Sequence, residues 1–102
     1  MRELTEIRKD IDAVDRQITE LFEKRLEYTK EVAEYKIAAG KPILDQEREA
    51  EKLKSLAASV SKKENSQAVC SLFEEIMKLS RMQQTELIAA QQEQKVETGG
   101  SL

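Results

Sequence analysis

From Leu4 to Ala39 the chain contains neither proline nor glycine. Leu4, Ile11, Ile18 and Val32 recur at multiples of seven residues, with Ile7, Val14, Leu21 and Tyr28 between them. This spacing predicts one long helix carrying an apolar seam. At about 1.5 Å of rise per residue the helix is longer than ~50 Å, whereas a compact domain of this length has a radius of gyration near ~13 Å. One chain of 102 residues cannot cover such a seam. A monomeric bundle with a frayed first helix is the alternative, but fraying would forfeit the seam, so pairing of long helices between two copies is expected.

The remainder of the chain is also helical in pattern. Gly40 ends the first helix as a C-terminal cap, and Pro42 follows two residues later. Asp45 is placed to accept from the free amides of a short second helix, QEREAEKLKSLAAS, with Glu47 in its first turn. The segment SKKENS interrupts the pattern at 61–66, after which Asn65 or Ser66 caps a third helix expected from Gln67 to Gln92. A helical domain over 1–94 and a polar, glycine-containing tail over 95–102, expected to be disordered, complete the organisation. Three glycines, one proline, four aromatics and 36% charged residues suit helices better than sheets. The expected fold class is all-α, with long, short and long helices per chain forming an intertwined homodimer.

Composition narrows function. A net charge of −3, with basic and acidic residues interspersed, leaves no basic footprint for nucleic acid. No segment has the apolar length of a signal peptide core or of a membrane span, so the chain reads as cytoplasmic and without a membrane partner. The lone Cys70, between Val69 and Leu72, reads as a packing residue. The absence of histidine excludes a Ser-His-Asp triad, a Cys-His pair and the common zinc sites. Chemistry is left to Arg, Lys, Glu, Asp, Ser and Gln.

Several of these side chains interrupt apolar faces. Arg25 occupies the seam position between Ile18 and Val32. Lys36 follows eleven residues later, about 20° around the helix and ~16 Å along it, so the two long cations share a face and can clasp a small dianion. Each also admits the plainer reading of an apolar stem whose charged head reaches solvent. Ser80 and Gln84 fall on the stripe of Val69, Phe73, Ile76 and Leu87, where a hydroxyl and an amide require partners, in a ligand or between helices. Glu49 lies on the line of Leu53, Leu56 and Val60, while Glu47, Glu51, Lys52 and Lys54 fall toward solvent. Arg48 and Asp45 flank it, and a salt bridge between them is the simpler alternative. Arg8 precedes Arg25 by seventeen residues, about 100° and ~25 Å away on one straight helix. It can join the Arg25 and Lys36 pair only from a second chain.

Taken in order, IRKDIDAVDRQITELFEKRLEYTKEVAEYK, PILDQERE and SLFEEIMKLSRMQQ closely resemble the all-helical class of chorismate mutases. The resemblance covers Leu4 to Leu87 and includes I-R-x-x-I-D-x-V-D around Arg8, Arg25 in mid-helix, Lys36 near the helix end, D-x-x-R-E from Asp45 to Glu49, and S-x-x-x-Q from Ser80 to Gln84. It implies an intertwined dimer with two active sites that convert chorismate to prephenate, toward phenylalanine and tyrosine, with no metal or cofactor. It further implies that Arg25, and Arg8 from the other chain, bind the two carboxylates, with Ser80 assisting. Lys36 and Gln84 would address the ether oxygen, Lys36 also touching a carboxylate. Glu49 would hold the ring hydroxyl with Asp45 nearby, and Arg48 would complete the polar wall. Two rivals stay open: an isochorismate pyruvate lyase on the same fold, and a non-catalytic helical dimerisation module whose inward polar residues only fix register.

Overall fold

A computed structural model of the chain describes residues 1–100, with side chains placed through Glu93. It consists of α1 (Leu4–Ala39), α2 (Gln46–Ser59) and α3 (Ser66–Gly100), with one 3₁₀ turn at Lys63–Asn65 before α3. No strand occurs among the described residues. The bounds of α1 and α2 are those read from the sequence. The third helix runs on past Gln92 to Gly100, because no helix-breaking residue precedes Gly99. The tail expected to be disordered over 95–102 lies, for its side chains and at 101 and 102 also for its backbone, outside the described residues.

Local chemistry fixes the joints. Gly40 takes the left-handed conformation, φ 68° and ψ 27°. Its N–H donates to the Ile37 carbonyl (3.3 Å), and that of Lys41 donates to the Lys36 carbonyl (2.9 Å). These paired bonds satisfy two carbonyls that the helix end would otherwise leave free. At the next joint the Asp45 carboxylate accepts from the Arg48 N–H at 3.0 Å, capping α2 as expected. The entry to α3 differs from expectation. Ser66 is already helical, at φ −56° and ψ −48°. Its hydroxyl donates back to the Ala57 carbonyl of α2 at 3.4 Å. Ser66 therefore ties two helices together where a cap was expected, and the Asn65 N–H is taken by the Lys62 carbonyl of the 3₁₀ turn.

α3 is the central element and packs against both α1 and α2. Among the described residues Ala33 and Met77 are the buried apolar side chains, with Phe22, Leu26, Ile37, Leu53, Leu56, Phe73 and Ile76 half-buried. The face that α1 turns to α3 comprises Phe22, Arg25, Leu26, Thr29, Ala33, Lys36 and Ile37, at spacings of three and four. It is distinct from the seven-residue seam, whose members stay in solvent: Ile11 is 51%, Ile18 52% and Leu21 66% exposed. Arg25 is the residue common to both. Every residue from Met1 to Leu21 is exposed, and the molecule measures 71 × 31 × 15 Å with a radius of gyration of 18.7 Å, well above the ~13 Å of a compact chain this long. Among the described residues no helix is long and apolar enough to cross a membrane.

Candidate active site

The three helices enclose one cleft of about 200 Å³ where the C-terminal half of α1, the start of α2 and the middle of α3 meet. Arg25 and Lys36 enter from α1, Asp45, Arg48 and Glu49 from the beginning of α2, and Ser80 and Gln84 from α3. Val32, Ile43 and Met77 supply apolar surface. Arg8 does not line it. It lies on the exposed half of α1, about 25 Å along the helix from Arg25.

Each polar group has a structural reason for its pose. Ser80 and Gln84 are the most enclosed, at 4% and 5% exposure, on the stripe where a serine and a glutamine replace apolar residues. Ser80 donates to the Ile76 carbonyl one turn back (2.9 Å) and accepts from Arg25 Nη1 (2.9 Å). Gln84 Nε2 donates to the Thr29 carbonyl of α1 at 3.1 Å. Both residues thus bridge helices as well as facing the cleft, so the structural and ligand-binding readings coexist. Lys36 Nζ donates to the Ile43 carbonyl at 2.7 Å, which folds the loop after Gly40 against the helix end. An ammonium has three donors and an amide nitrogen two, so Lys36 and Gln84 each keep a donor available.

The electrostatics are lopsided. Five cationic side chains, Arg25, Lys36, Arg48, Lys52 and Arg81, share the cleft with two carboxylates. Glu49 forms an ion pair with Arg81 of α3. Asp45 caps α2 through the Arg48 backbone, and the side-chain salt bridge between Asp45 and Arg48 considered from sequence is not formed. Among the described residues, no carboxylate oxygen comes within 4.0 Å of Arg25, Lys36 or Arg48. Burial pushes the Arg25 guanidinium below its ordinary value, the nearby Arg48 charge pushes in the same direction, and Glu49 opposes them. It remains a cation at neutral pH because the guanidinium is the most basic of the ionisable side chains. A partly buried cation with no carboxylate paired to it among the described residues can receive an anion.

Three polar lining residues escaped the sequence reading. Thr29 lies one turn after Arg25 and was hidden by its ordinary helix position. Lys52 was assigned to solvent but is half-buried and lines the cleft, since it stands one turn beyond Arg48 on the same side of α2. Arg81 lies four residues after Met77 and beside Ser80, and that adjacency to an already anomalous stripe was the available signal. Cys70 is half-buried with its Sγ 3.6 Å from the Leu53 carbonyl, in keeping with packing between α2 and α3.

The arrangement can hold a small, multiply charged anion against an apolar wall and direct N–H donors at it; it presents no nucleophile backed by a base. Comparison with known proteins agrees with this reading. The chorismate mutase type II family model matches residues 7–85. The chain is 49% identical to the T-protein of Enterobacter agglomerans over 53 residues, 52% of this chain and 14% of that protein. It is 43% identical to the T-protein of Haemophilus influenzae over 49 residues, 48% of this chain and 13% of that protein. A chorismate mutase of Methanocaldococcus jannaschii is 47% identical over 49 residues, 48% of this chain and 50% of that protein. The chain therefore spans half or less of the length of these relatives. No solved structure matches it.

Proposed function

Because the chain belongs to the type II chorismate mutase family, we propose that it converts chorismate to prephenate, as a homodimer whose active sites are the clefts described above. The observation that carries this reading is the convergence of Arg25, Lys36, Arg48, Glu49, Ser80 and Gln84 from three helices on one cleft with unpaired positive charge.

The reaction is an intramolecular rearrangement. The ether carbon-oxygen bond breaks as a carbon-carbon bond forms in the same molecule, and no proton is transferred. A protein accelerates it by shape and field. Arg25, steadied by Ser80, receives one carboxylate, and Arg48 contributes to the cationic wall. Arg8 of the partner subunit closes on the other carboxylate. Holding the substrate in its folded, diaxial conformer removes much of the entropic barrier. The free donors of Lys36 and Gln84 meet the ether oxygen as it gains negative charge, and Lys36, as a cation in a partly desolvated cleft, contributes most. Glu49 accepts from the ring hydroxyl, with Asp45 beside it. Gln84 donates without titrating, so turnover should be nearly level through neutral pH.

The dimer reading is supported by the seam. An uncovered apolar face running from Leu4 through Leu21 is more than a stable monomer exposes without purpose, and a second copy presents the complementary face. Pairing there would carry the exposed Arg8 to the other chain's cleft.

The test is direct. Purified protein, without added metal, is expected to consume chorismate and accumulate prephenate, and a folded helical dimer that leaves chorismate intact overturns the proposal. Supplying isochorismate in parallel separates the lyase alternative, which would release pyruvate.

A further inference from the structure

The family reading leaves Arg81 without a task, although it is half-buried, lines the cleft and forms the ion pair with Glu49. Glu49 is a carboxylate in a site for a dianion, and its charge already acts on Arg25, which in turn lies within range of Arg48. An unrestrained glutamate there has two nearby guanidinium groups to fall upon, and by doing so it would occupy the cations that the substrate needs. Arg81 prevents this by geometry. Its Nη1 binds Glu49 Oε1 from the α3 side, which draws the carboxylate toward α3, while Oε2 has no hydrogen-bond partner among the described residues.

We propose that Arg81 is a positioning residue that sequesters Glu49 from Arg25 and Arg48, keeping both cations free for carboxylates and leaving one Glu49 oxygen free to accept from a hydroxyl. Its effect is exerted through Glu49. A purely structural clamp between α2 and α3 is the competing account, and thermal unfolding of the variants separates the two.

The inference rests on the mutase reading, and a double-mutant cycle tests it separately. Arg81→Met, Arg81→Lys, Glu49→Gln and the Arg81→Met/Glu49→Gln pair are compared by thermal unfolding and by kcat and KM for chorismate. Arg81→Met is expected to melt with the parent and to raise KM about tenfold, the scale of one charge-assisted hydrogen bond, with a smaller change in kcat. Arg81→Lys restores most of that loss. In the Glu49→Gln background, where no carboxylate can collapse onto Arg25, adding Arg81→Met changes KM less than about twofold. An unchanged KM in Arg81→Met overturns the proposal. An equal rise in the Glu49→Gln background also overturns it, because Arg81 would then act on substrate or fold directly. Arg81→Gln is the second replacement should Arg81→Met not fold. If the parent protein turns over no chorismate, the mutase reading fails, and the same cycle is read as the calorimetric Kd for chorismate: loosening in Arg81→Met that disappears with Glu49→Gln supports the sequestration, and its absence, or no binding by the parent, overturns it.

Discussion

Arg25 joins two faces of one helix. On the seven-residue seam it replaces an apolar residue, and on the face packed against α3 it reaches Ser80, so folding half-buries a guanidinium whose hydrogen-bond partner is a neutral hydroxyl. That arrangement costs stability, and under the proposed function it serves the ligand. Arg25→Met is therefore expected to leave the melting temperature level or higher while abolishing chorismate binding, and a marked drop in melting temperature would mean that the cation is structural. The sign with pH follows from the lowered pKa. Burial disfavours the charged form, so the penalty is present wherever Arg25 is charged and is relieved only as pH rises through its folded value toward the ordinary arginine value above it. The stability difference between Arg25→Met and the parent should accordingly be flat through neutral pH. Lys36 behaves differently, because it donates to the Ile43 carbonyl as well as facing the cleft. Lys36→Ala should keep the helical content and lose on the order of 10²–10³ in kcat, the usual cost of removing a donor from a developing oxyanion.

The joints between helices decide where these side chains arrive. Gly40 is the position where backbone conformation itself is required, since φ 68° costs a residue with a Cβ about 1–2 kcal/mol even though nothing crowds the site. Gly40→Ala should lower stability by about 1 kcal/mol in chemical denaturation. Its effect on turnover should be larger than that loss suggests, because the paired bonds to Lys36 and Ile37 also set the loop that Lys36 grips. Asp45 has a double position, as cap and cleft wall. Asp45→Asn keeps an acceptor for the Arg48 amide and should preserve stability, whereas Asp45→Ala should cost about 1 kcal/mol. Both joints were legible in the sequence, as a glycine after a long apolar-periodic run and an aspartate before a short one. The entry to α3 was not, because Ser66 had two competing acceptor and donor arrangements and the tertiary contact with Ala57 won.

At the scale of the whole molecule, the uncovered half of α1 sets the outstanding question. Its exposed seam is what the proposed dimer would cover, and with that proposal sedimentation should find a dimer. Ile11→Glu with Ile18→Glu should shift the protein to monomer and lower its helicity, since an isolated amphipathic helix draws most of its stability from packing. Mixing inactive Arg8→Ala and Lys36→Ala chains should restore partial activity, because one cleft of each mixed dimer regains both residues. No recovery after verified chain exchange would place Arg8 outside the site.

Periodicity and terminators determined the helices, because the signals are local: an apolar residue every three or four positions, a glycine where φ turns positive, an aspartate where amides lie free. The same periodicity exposed Arg25, Glu49, Ser80 and Gln84 as polar residues on faces that should be apolar, helical geometry put Lys36 on the face of Arg25, and the motif order joined Asp45, Arg48 and Arg8 to them. The tertiary structure decided which charges compensate one another. That Glu49 pairs with Arg81, that Lys52 turns into the cleft, and that Arg25 is left without a carboxylate depend on where α2 lies against α3. A linear pattern gives the face on which a charge sits, and only the packing of another helix against that face fixes which opposite charge lies close enough to meet it.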